Sequence, residues 1–158
     1  MDRIWAPWRI EYVSRKRTKG CIFCKIFREK NDKKNLILFR SQHCFAVFNK
    51  FPYNNGHLMI VANKHVDFFD ALSDKASSDI IKTLTKVKSI LKKTIKPGGF
   101  NIGLNVGKIA GAGVDKHLHF HLVPRWQGDT NFMPILASTK LISQSLNDLY
   151  KKMKKEVR

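Results

Sequence analysis

Three histidines at alternate positions constrain the fold of this chain more than any other feature. His117, His119 and His121 are each separated by one apolar residue, and two more apolar residues and a proline follow. Because successive side chains of a β-strand point to opposite faces, a strand here places the three imidazoles on one face. Imidazole is the side chain that titrates nearest neutral pH. The pattern therefore predicts a strand whose polar face binds metal or performs catalysis.

The length and composition are those of one folded domain. The chain has 158 residues and is 43% hydrophobic, which suffices for a packed core. We expect a single domain over residues 1–158, with an N-terminal arm at 1–20 and a C-terminal helix and tail at 139–158. No apolar run approaches the roughly 20 residues that span a bilayer, and the first residues lack the apolar centre of a signal peptide. We expect a cytoplasmic protein with no membrane partner.

The net charge of +18 has two interpretations. It could attract polyanions such as nucleotides or nucleic acid, or it could reflect lysines spread over solvated surfaces. The lysines are scattered along the chain, which favours the second interpretation for most of the charge. We therefore do not expect nucleic acid as a partner, although long-range charge could speed the association of an anionic substrate.

Apolar periodicity and turn residues predict an α+β domain built on an antiparallel sheet. A turn at residues 52–56 joins two of the strands as a hairpin. A long helix begins at a cap, either Ser73 or Asp74, and ends before Pro97. The predicted strands are 36–39, 44–48, 57–62, 100–106 and 116–124, and the predicted helices are 21–28, the long helix to residue 95, and 139–155.

Cys21 and Cys24 form a Cys-x-x-Cys pair. In a cytosolic chain this spacing indicates a metal or redox site, and the βαβ setting of a thioredoxin-type site is missing from the predicted elements. A tetrahedral zinc site needs two more ligands, commonly histidines. The spacing does not choose among the candidates, which are His43, His57, His65 and the three histidines of the strand. A buried, reduced cysteine pair is the alternative.

A glycine-rich loop at residues 107–113 leads into the histidine strand. Its main-chain N–H groups could bind phosphate oxygens, or the loop could be a tight connection between strands. Asn49 and Asn105 lie at or near predicted strand ends beside it. An asparagine there could bind a ribose hydroxyl or a phosphate oxygen, or it could form a local turn bond.

The chain resembles the histidine triad (HIT) family. The family signature is His-φ-His-φ-His-φ-φ, where φ is apolar, and residues 117–123 match it. Residues 48–58 resemble the segment before the central strands of the family. Asn63-Lys64-His65-Val66 resembles its Pro-Lys-x-His turn, with Asn63 in place of proline. Residues 123–133, together with Trp5-Ala6-Pro7-Trp8-Arg9 and the cysteine pair, resemble the branch that includes fragile histidine triad proteins and bacterial diadenosine tetraphosphate phosphorylases.

The resemblance implies an architecture and a metal site. HIT proteins have an α+β fold with a five-stranded antiparallel sheet, and this chain would add one long helix and a C-terminal helix. They are usually homodimers with two nucleotide sites. Zinc-bearing relatives imply a structural zinc ion on Cys21, Cys24, His65 and His117.

The resemblance also implies an activity, which is cleavage of dinucleoside polyphosphates at the α-phosphate through a nucleotidyl-histidine. His119 would be the nucleophile, His121 would contact the transferred phosphate, and His117 would hold the strand in place. The implied substrate-binding residues are Asn49 at the ribose, Asn105 near the leaving-group phosphates, the main chain at Gly113, and His57 in a supporting role. The alternatives are a nucleoside phosphoramidase and a non-catalytic module that binds nucleotides or nucleic acid.

One segment departs from the pattern of several relatives. Their loop before the triad carries a Gln, Ser or Thr side chain that helps the leaving group, whereas this chain has Gly111-Ala112-Gly113-Val114. Assistance would have to come from the main chain, Asn105, Lys108, Lys116 or water. The departure bears on substrate preference and on turnover, and not on the nucleophile.

Overall fold

The structure is a computed structural model that describes residues 20–129 and 142–157. The predicted N-terminal arm lies almost entirely outside this range. The helices are α1 (Ile22–Glu29), α2 (Asp32–Asn35), α3 (Asp74–Ile95) and α4 (Leu146–Lys154), with 3₁₀ turns at Phe69–Ala71 and Lys155–Val157. The strands are β1 (Ile37–Arg40), β2 (Cys44–Phe48), β3 (Leu58–Ala62), β4 (Gly99–Gly103) and β5 (His119–Arg125).

The five strands form one antiparallel sheet in the order β1-β2-β3-β5-β4. The predicted α+β architecture with a five-stranded antiparallel sheet is confirmed. The histidine strand β5 is an interior strand, between β3 and the edge strand β4. His119 is opposite Val61, and His121 is opposite Met59 on one side and Gly103 on the other. Because β5 is paired on both edges, its side chains are held at fixed positions on the sheet.

The long helix covers one face of the sheet. It begins at Ser73, whose hydroxyl accepts a hydrogen bond from the Ala76 N–H at 3.3 Å, as an N-cap does. Its apolar residues Ile80, Val87 and Leu91 are buried at helical spacing. α3 packs on β2, β3 and β5, and α4 packs on α3 and β1. The main core therefore lies on this face, and the opposite face carries a smaller apolar cluster under α1.

Three predicted boundaries were wrong by three residues or more, and several others by one residue. β5 begins at His119 and not at residue 116, because the Leu118 N–H donates to the Val66 carbonyl (2.6 Å) in the turn beyond β3. β4 ends at Gly103 and leaves Asn105 in the following loop. The C-terminal helix begins at Leu146, after Ser145 in an extended conformation, and the predicted helical residues 139–141 lie outside the described range. Among the described residues no helix is long and apolar enough to cross a membrane.

Candidate active site and metal centre

Two cysteines and two histidines converge at one end of β5. Cys21 caps the N-terminus of α1 and Cys24 lies in its first turn. His65 comes from the turn after β3, and His117 directly precedes β5. His117 Nδ1 lies 3.2 Å from Cys21 Sγ, 3.6 Å from Cys24 Sγ and 3.1 Å from His65 Nδ1, and Cys24 Sγ lies 3.3 Å from His65 Nδ1. All four ligand atoms lie within 4.8 Å of one another.

This group of four residues can hold a metal ion. Bonds of about 2.0–2.3 Å in a tetrahedral zinc site separate the ligand atoms by roughly 3.3–3.8 Å, close to the observed distances. His117 Nε2 lies 2.7 Å from the Ala62 carbonyl, which can only accept, so Nε2 carries the proton and Nδ1 presents its lone pair to the cluster. Burial and the neighbouring Cys21 raise the pKa of Cys24, so a pair of thiolates here needs a cation.

The fold chooses among the histidines that the spacing left open. His65 and His117 join the cysteines. The ring of His57 bonds to His121 instead. His43 lies in the β1–β2 turn, where its N–H donates to the Asp79 carboxylate at 2.8 Å. The metal set expected from the resemblance is thus the set that the structure brings together.

His119 is the first residue of β5 and is only 6% exposed. Its Nδ1 lies 2.7 Å from the main-chain oxygen of His117. Since that oxygen can only accept, Nδ1 holds the proton and Nε2 keeps a free lone pair. Burial lowers the pKa of the ring, and the Phe23 ring packs on it with 4.9 Å between centroids. His119 is therefore a neutral imidazole with one basic nitrogen available.

His121 is oriented by a chain of hydrogen bonds through His57. The Tyr53 main-chain N–H donates to His57 Nδ1 at 3.1 Å. In a neutral ring the proton of His57 is then on Nε2, which lies 2.9 Å from His121 Nδ1. His121 Nδ1 accepts, so His121 holds its own proton on Nε2. The Tyr53 ring stacks on His121 with 5.7 Å between centroids.

The His57 and His121 rings are both neutral at physiological pH. Burial, followed by repulsion from nearby histidines, lowers the pKa of His57 to about 3. Burial and then His119 lower the pKa of His121 to about 4. His57 is fully buried with both nitrogens bonded, so it supports His121 from behind and does not line the cavity beside the triad.

These shifts predict a loss of stability in mild acid. Below about pH 6 the unfolded chain protonates His57 while the folded protein does not until about pH 3. The contribution of each ring to the free energy of unfolding is therefore fully present above the pKa of histidine in the unfolded chain. Below that pKa it falls by about 1.4 kcal/mol per pH unit for each ring. Urea unfolding measured at several pH values between 7 and 4.5 gives the free energy of unfolding as a function of pH. This free energy should fall less steeply with falling pH in His57→Asn than in the wild type. Equal slopes would contradict the neutral, buried state of this ring.

A cavity of about 550 Å³ opens on the sheet face beside the triad, a volume typical of small-molecule sites. His119 and His121 lie in its wall, with Asn49 at the end of β2 and Gly113 in the glycine-rich loop. Its apolar lining includes Ile22, Phe23, Ile26, Val47, Met59 and Val114, and its cationic lining residues are Lys25, Lys34 and Lys50. The lining also includes Glu29, whose carboxylate lies 3.5 Å from Lys34, so the wall offers both apolar surface and a positive excess of charge.

The remaining predicted residues are placed as follows. The Asn49 side-chain oxygen accepts from the Phe51 N–H at 2.9 Å, which leaves its amide N–H groups for a ligand. Asn105 is absent from the cavity wall and lies beside Gly111, where an added Cβ would be 3.6 Å from Asn105 Nδ2. Lys108 lies 3.9 Å from Asp115. Gly111 has φ +85°, a conformation that favours glycine over residues with a side chain.

Sequence reasoning did not identify Phe23 or Tyr53 as site residues. Phe23 carried a signal, because it lies between the two cysteines and must share their helix turn. Tyr53 acts on His57 through its main-chain N–H, a contact that no side-chain pattern reveals.

The fold and the site together define a class of protein. Its members are α+β domains with a five-stranded antiparallel sheet, a histidine strand beside a cavity, and a group of cysteines and histidines that can hold a metal ion. The HIT domain family model matches residues 30–128. The chain belongs to this family.

Similar proteins include enzymes and uncharacterised members. The AP-4-A phosphorylase of Mycobacterium tuberculosis is 36% identical over 156 residues, covering 94% of this chain and 80% of that protein. An adenosine 5'-monophosphoramidase of Candida albicans is 28% identical over 142 residues, covering 87% and 91% of the two chains. A Zn-bound histidine triad family protein from Mycobacterium smegmatis shares the fold, with TM-score 0.69, 18% identity, and coverage of 86% and 91%.

Proposed function

We propose that the protein is a nucleotidyl hydrolase or transferase that cleaves dinucleoside polyphosphates at the α-phosphate. The observation that carries this proposal is the state of His119, a buried neutral imidazole whose Nδ1–H is held by the His117 carbonyl. Its other nitrogen is free to act as a nucleophile. The similarity to the AP-4-A phosphorylase supports the choice of substrate class.

In the first step, His119 Nε2 attacks the α-phosphorus in line with the leaving oxygen. A phosphorus–nitrogen bond forms, the bond to the bridging oxygen breaks, and the nucleoside polyphosphate leaves with that oxygen. Phosphoryl chemistry requires mainly positioning and charge stabilisation from a protein. The strand pairing of β5 on both sides supplies the positioning, and the product is a nucleotidyl-histidine.

His121 stabilises the charge that develops on the phosphate. Its proton is on Nε2 because Nδ1 accepts from His57, so it offers a donor N–H to a non-bridging oxygen. Lys25 and Lys50 in the cavity wall attract the polyphosphate at longer range. Asn49 presents its amide N–H groups for the ribose, and the main chain at Gly113 lies in the wall for phosphate oxygens.

In the second step, an acceptor attacks the same phosphorus and releases the His119 nitrogen. Water gives a nucleoside monophosphate and inorganic phosphate gives a nucleoside diphosphate. The two-step path predicts ping-pong kinetics. The named activity of the Mycobacterium tuberculosis relative favours phosphate as the acceptor.

We propose zinc as the ion for the Cys21, Cys24, His65 and His117 cluster. When bound, zinc cross-links α1, the turn after β3 and the start of β5, and supplies structure and no reacting group. His117 belongs to the cluster through Nδ1 and to the active site through its carbonyl oxygen.

The homodimer and the cytoplasmic location stay predictions. Ile102 in β4 and Val106 in the loop after it are exposed apolar residues, which favours a dimer interface at this edge of the sheet.

Product analysis tests the proposed activity. The protein is incubated with diadenosine tetraphosphate, with and without inorganic phosphate, and the products are separated by ion-exchange chromatography. ADP and ATP that form only with phosphate identify a phosphorylase, and AMP and ATP identify a hydrolase. If neither set of products forms, the proposal is wrong.

A second candidate is a nucleoside phosphoramidase, which the similarity to the Candida albicans enzyme supports. The same nucleophile would act on a phosphorus–nitrogen bond. An adenosine phosphoramidate substrate included in the same experiment separates the two activities, because the preferred substrate has the higher kcat/KM.

A further inference from the structure

One carboxylate beyond the end of β5 joins two segments of the chain. Asp129 Oδ2 accepts hydrogen bonds from Arg125 Nε at 2.7 Å and from the Trp126 main-chain N–H at 3.0 Å. It also accepts from Asn54 Nδ2 at 2.7 Å. The Asp129 side chain is only 9% exposed, so water competes little for these bonds. The carboxylate therefore attaches the loop of residues 49–57 to the end of the histidine strand.

Asn54, near the centre of the loop, is the residue that bonds to Asp129. The residue is buried, and its Nδ2 also donates to the Pro124 carbonyl at 3.0 Å. Its own carbonyl accepts from the His57 N–H at 3.2 Å. Asn54 thus fixes the chain immediately after Tyr53. Tyr53 itself is 55% exposed, and its ring packs on the His57 and His121 rings.

The position of the Tyr53 N–H decides which ring donates in the His57–His121 hydrogen bond, and therefore whether His121 offers a donor or an acceptor to the cavity. While it donates to His57 Nδ1, the proton of His57 is on Nε2 and that of His121 is on its Nε2. If the Tyr53 N–H moves away, His57 Nδ1 can carry the proton. His57 Nε2 then accepts from His121 Nδ1–H, and His121 turns a lone pair toward the cavity in place of a donor.

We propose that Asp129 and Asn54 are positioning residues for the nucleotidyl transfer, because they hold the Tyr53 N–H on His57 and so keep the donor N–H of His121 toward the phosphate. The proposal rests on the proposed function for its effect on turnover. It gives a physical role to the segment Trp126-Gln127-Gly128-Asp129, which the polyphosphate chemistry described above does not use.

The test is Asn54→Ala, which removes both bonds from the loop to the strand end. Its matched control is Asn101→Ala, because Asn101 on β4 accepts from Arg125 NH1 at 2.6 Å in the same network and does not touch the loop. Nitrogen-15 NMR of the His57 and His121 rings reports which ring nitrogen is protonated. Steady-state kinetics with diadenosine tetraphosphate report kcat and KM.

In Asn54→Ala we expect mixed tautomers of both rings and a kcat lowered roughly 10- to 100-fold, as misplacement of a catalytic group costs, with KM changed less than about twofold. Asn101→Ala should keep the wild-type tautomers and kcat. Asp129→Asn retains an acceptor oxygen for Asn54 and should give an intermediate effect, and it replaces Asn54→Ala if that variant does not fold.

Wild-type tautomers in a folded Asn54→Ala or Asp129→Asn protein would overturn the proposal, as would an equal loss of kcat in Asn101→Ala. The tautomer measurement needs no turnover. It therefore remains decisive for the positioning role even if the proposed substrate proves wrong.

Discussion

His119→Ala should lose turnover of dinucleoside polyphosphates by about 10⁴-fold or more, the scale seen when a covalent nucleophile is removed. No other described side chain in the cavity presents a neutral basic nitrogen toward a phosphorus, since His121 holds its proton on Nε2 and His57 is buried behind it. Folding should survive, because strand pairing and not the ring holds β5 in the sheet. Nucleotide binding should survive too, because the rest of the cavity wall is unchanged.

The measurement combines kcat with AMP affinity by isothermal titration calorimetry. His43→Ala is the matched control, since this histidine lies in the β1–β2 turn and is not part of the cavity wall, and its main-chain N–H, which the variant keeps, donates to the Asp79 carboxylate. The control should keep wild-type turnover. Full activity in His119→Ala would exclude the nucleotidyl-histidine mechanism, whereas lost AMP binding would show that the ring holds the substrate and is not only its attacking group.

The second large effect is expected at the metal cluster. Wild-type protein should contain close to one zinc ion per chain, and Cys21→Ser should lose it, because its sulfur is one of four ligand atoms within 4.8 Å. At free zinc 1,000 times the dissociation constant the lost binding corresponds to about 4 kcal/mol of the free energy of unfolding. Metal analysis by mass spectrometry and urea unfolding check both parts.

Cys44→Ala is the control for the cluster. Cys44 is buried beside Thr83 with 3.2 Å between sulfur and hydroxyl, away from the four ligands, and burial raises its pKa to about 12. This variant should lose some packing stability and keep its metal. A metal-free wild type as stable as the zinc-loaded protein would refute the site.

Local patterns predicted much of the fold. The alternation of His117, His119 and His121 identified the interior strand β5, and the apolar spacing of α3 identified the helix that covers the core. Boundaries failed where a distant partner decides them. Leu118 leaves the strand pattern because it bonds to Val66, 52 positions from it, and nothing near Leu118 in the sequence signals that partner.

The sequence pointed to the histidines that the structure places at the cavity and at the cysteine pair, but not to the groups that orient them. The His-x-His-x-His spacing marks the chemistry, and the resemblance chose His65 from several histidines that spacing allowed. The orientation of His121 depends on a main-chain N–H at Tyr53 and on Asn54, which lies 75 positions from Asp129. Such bonds follow from how loops meet in the folded protein, and main-chain groups are the same in every residue type.

The short helix α1 belongs to two sites at once. Cys24 faces the metal cluster, while Ile22, Phe23 and Ile26 form part of the cavity wall. An ion bound to the cysteines would already order this helix. A nucleotide that packs against the helix would then lose less conformational entropy on binding. By thermodynamic reciprocity, zinc and a nucleotide bound at these proposed sites would raise each other's affinity by the same factor. Removal of zinc should therefore weaken nucleotide binding while every side chain of the cavity wall is still present.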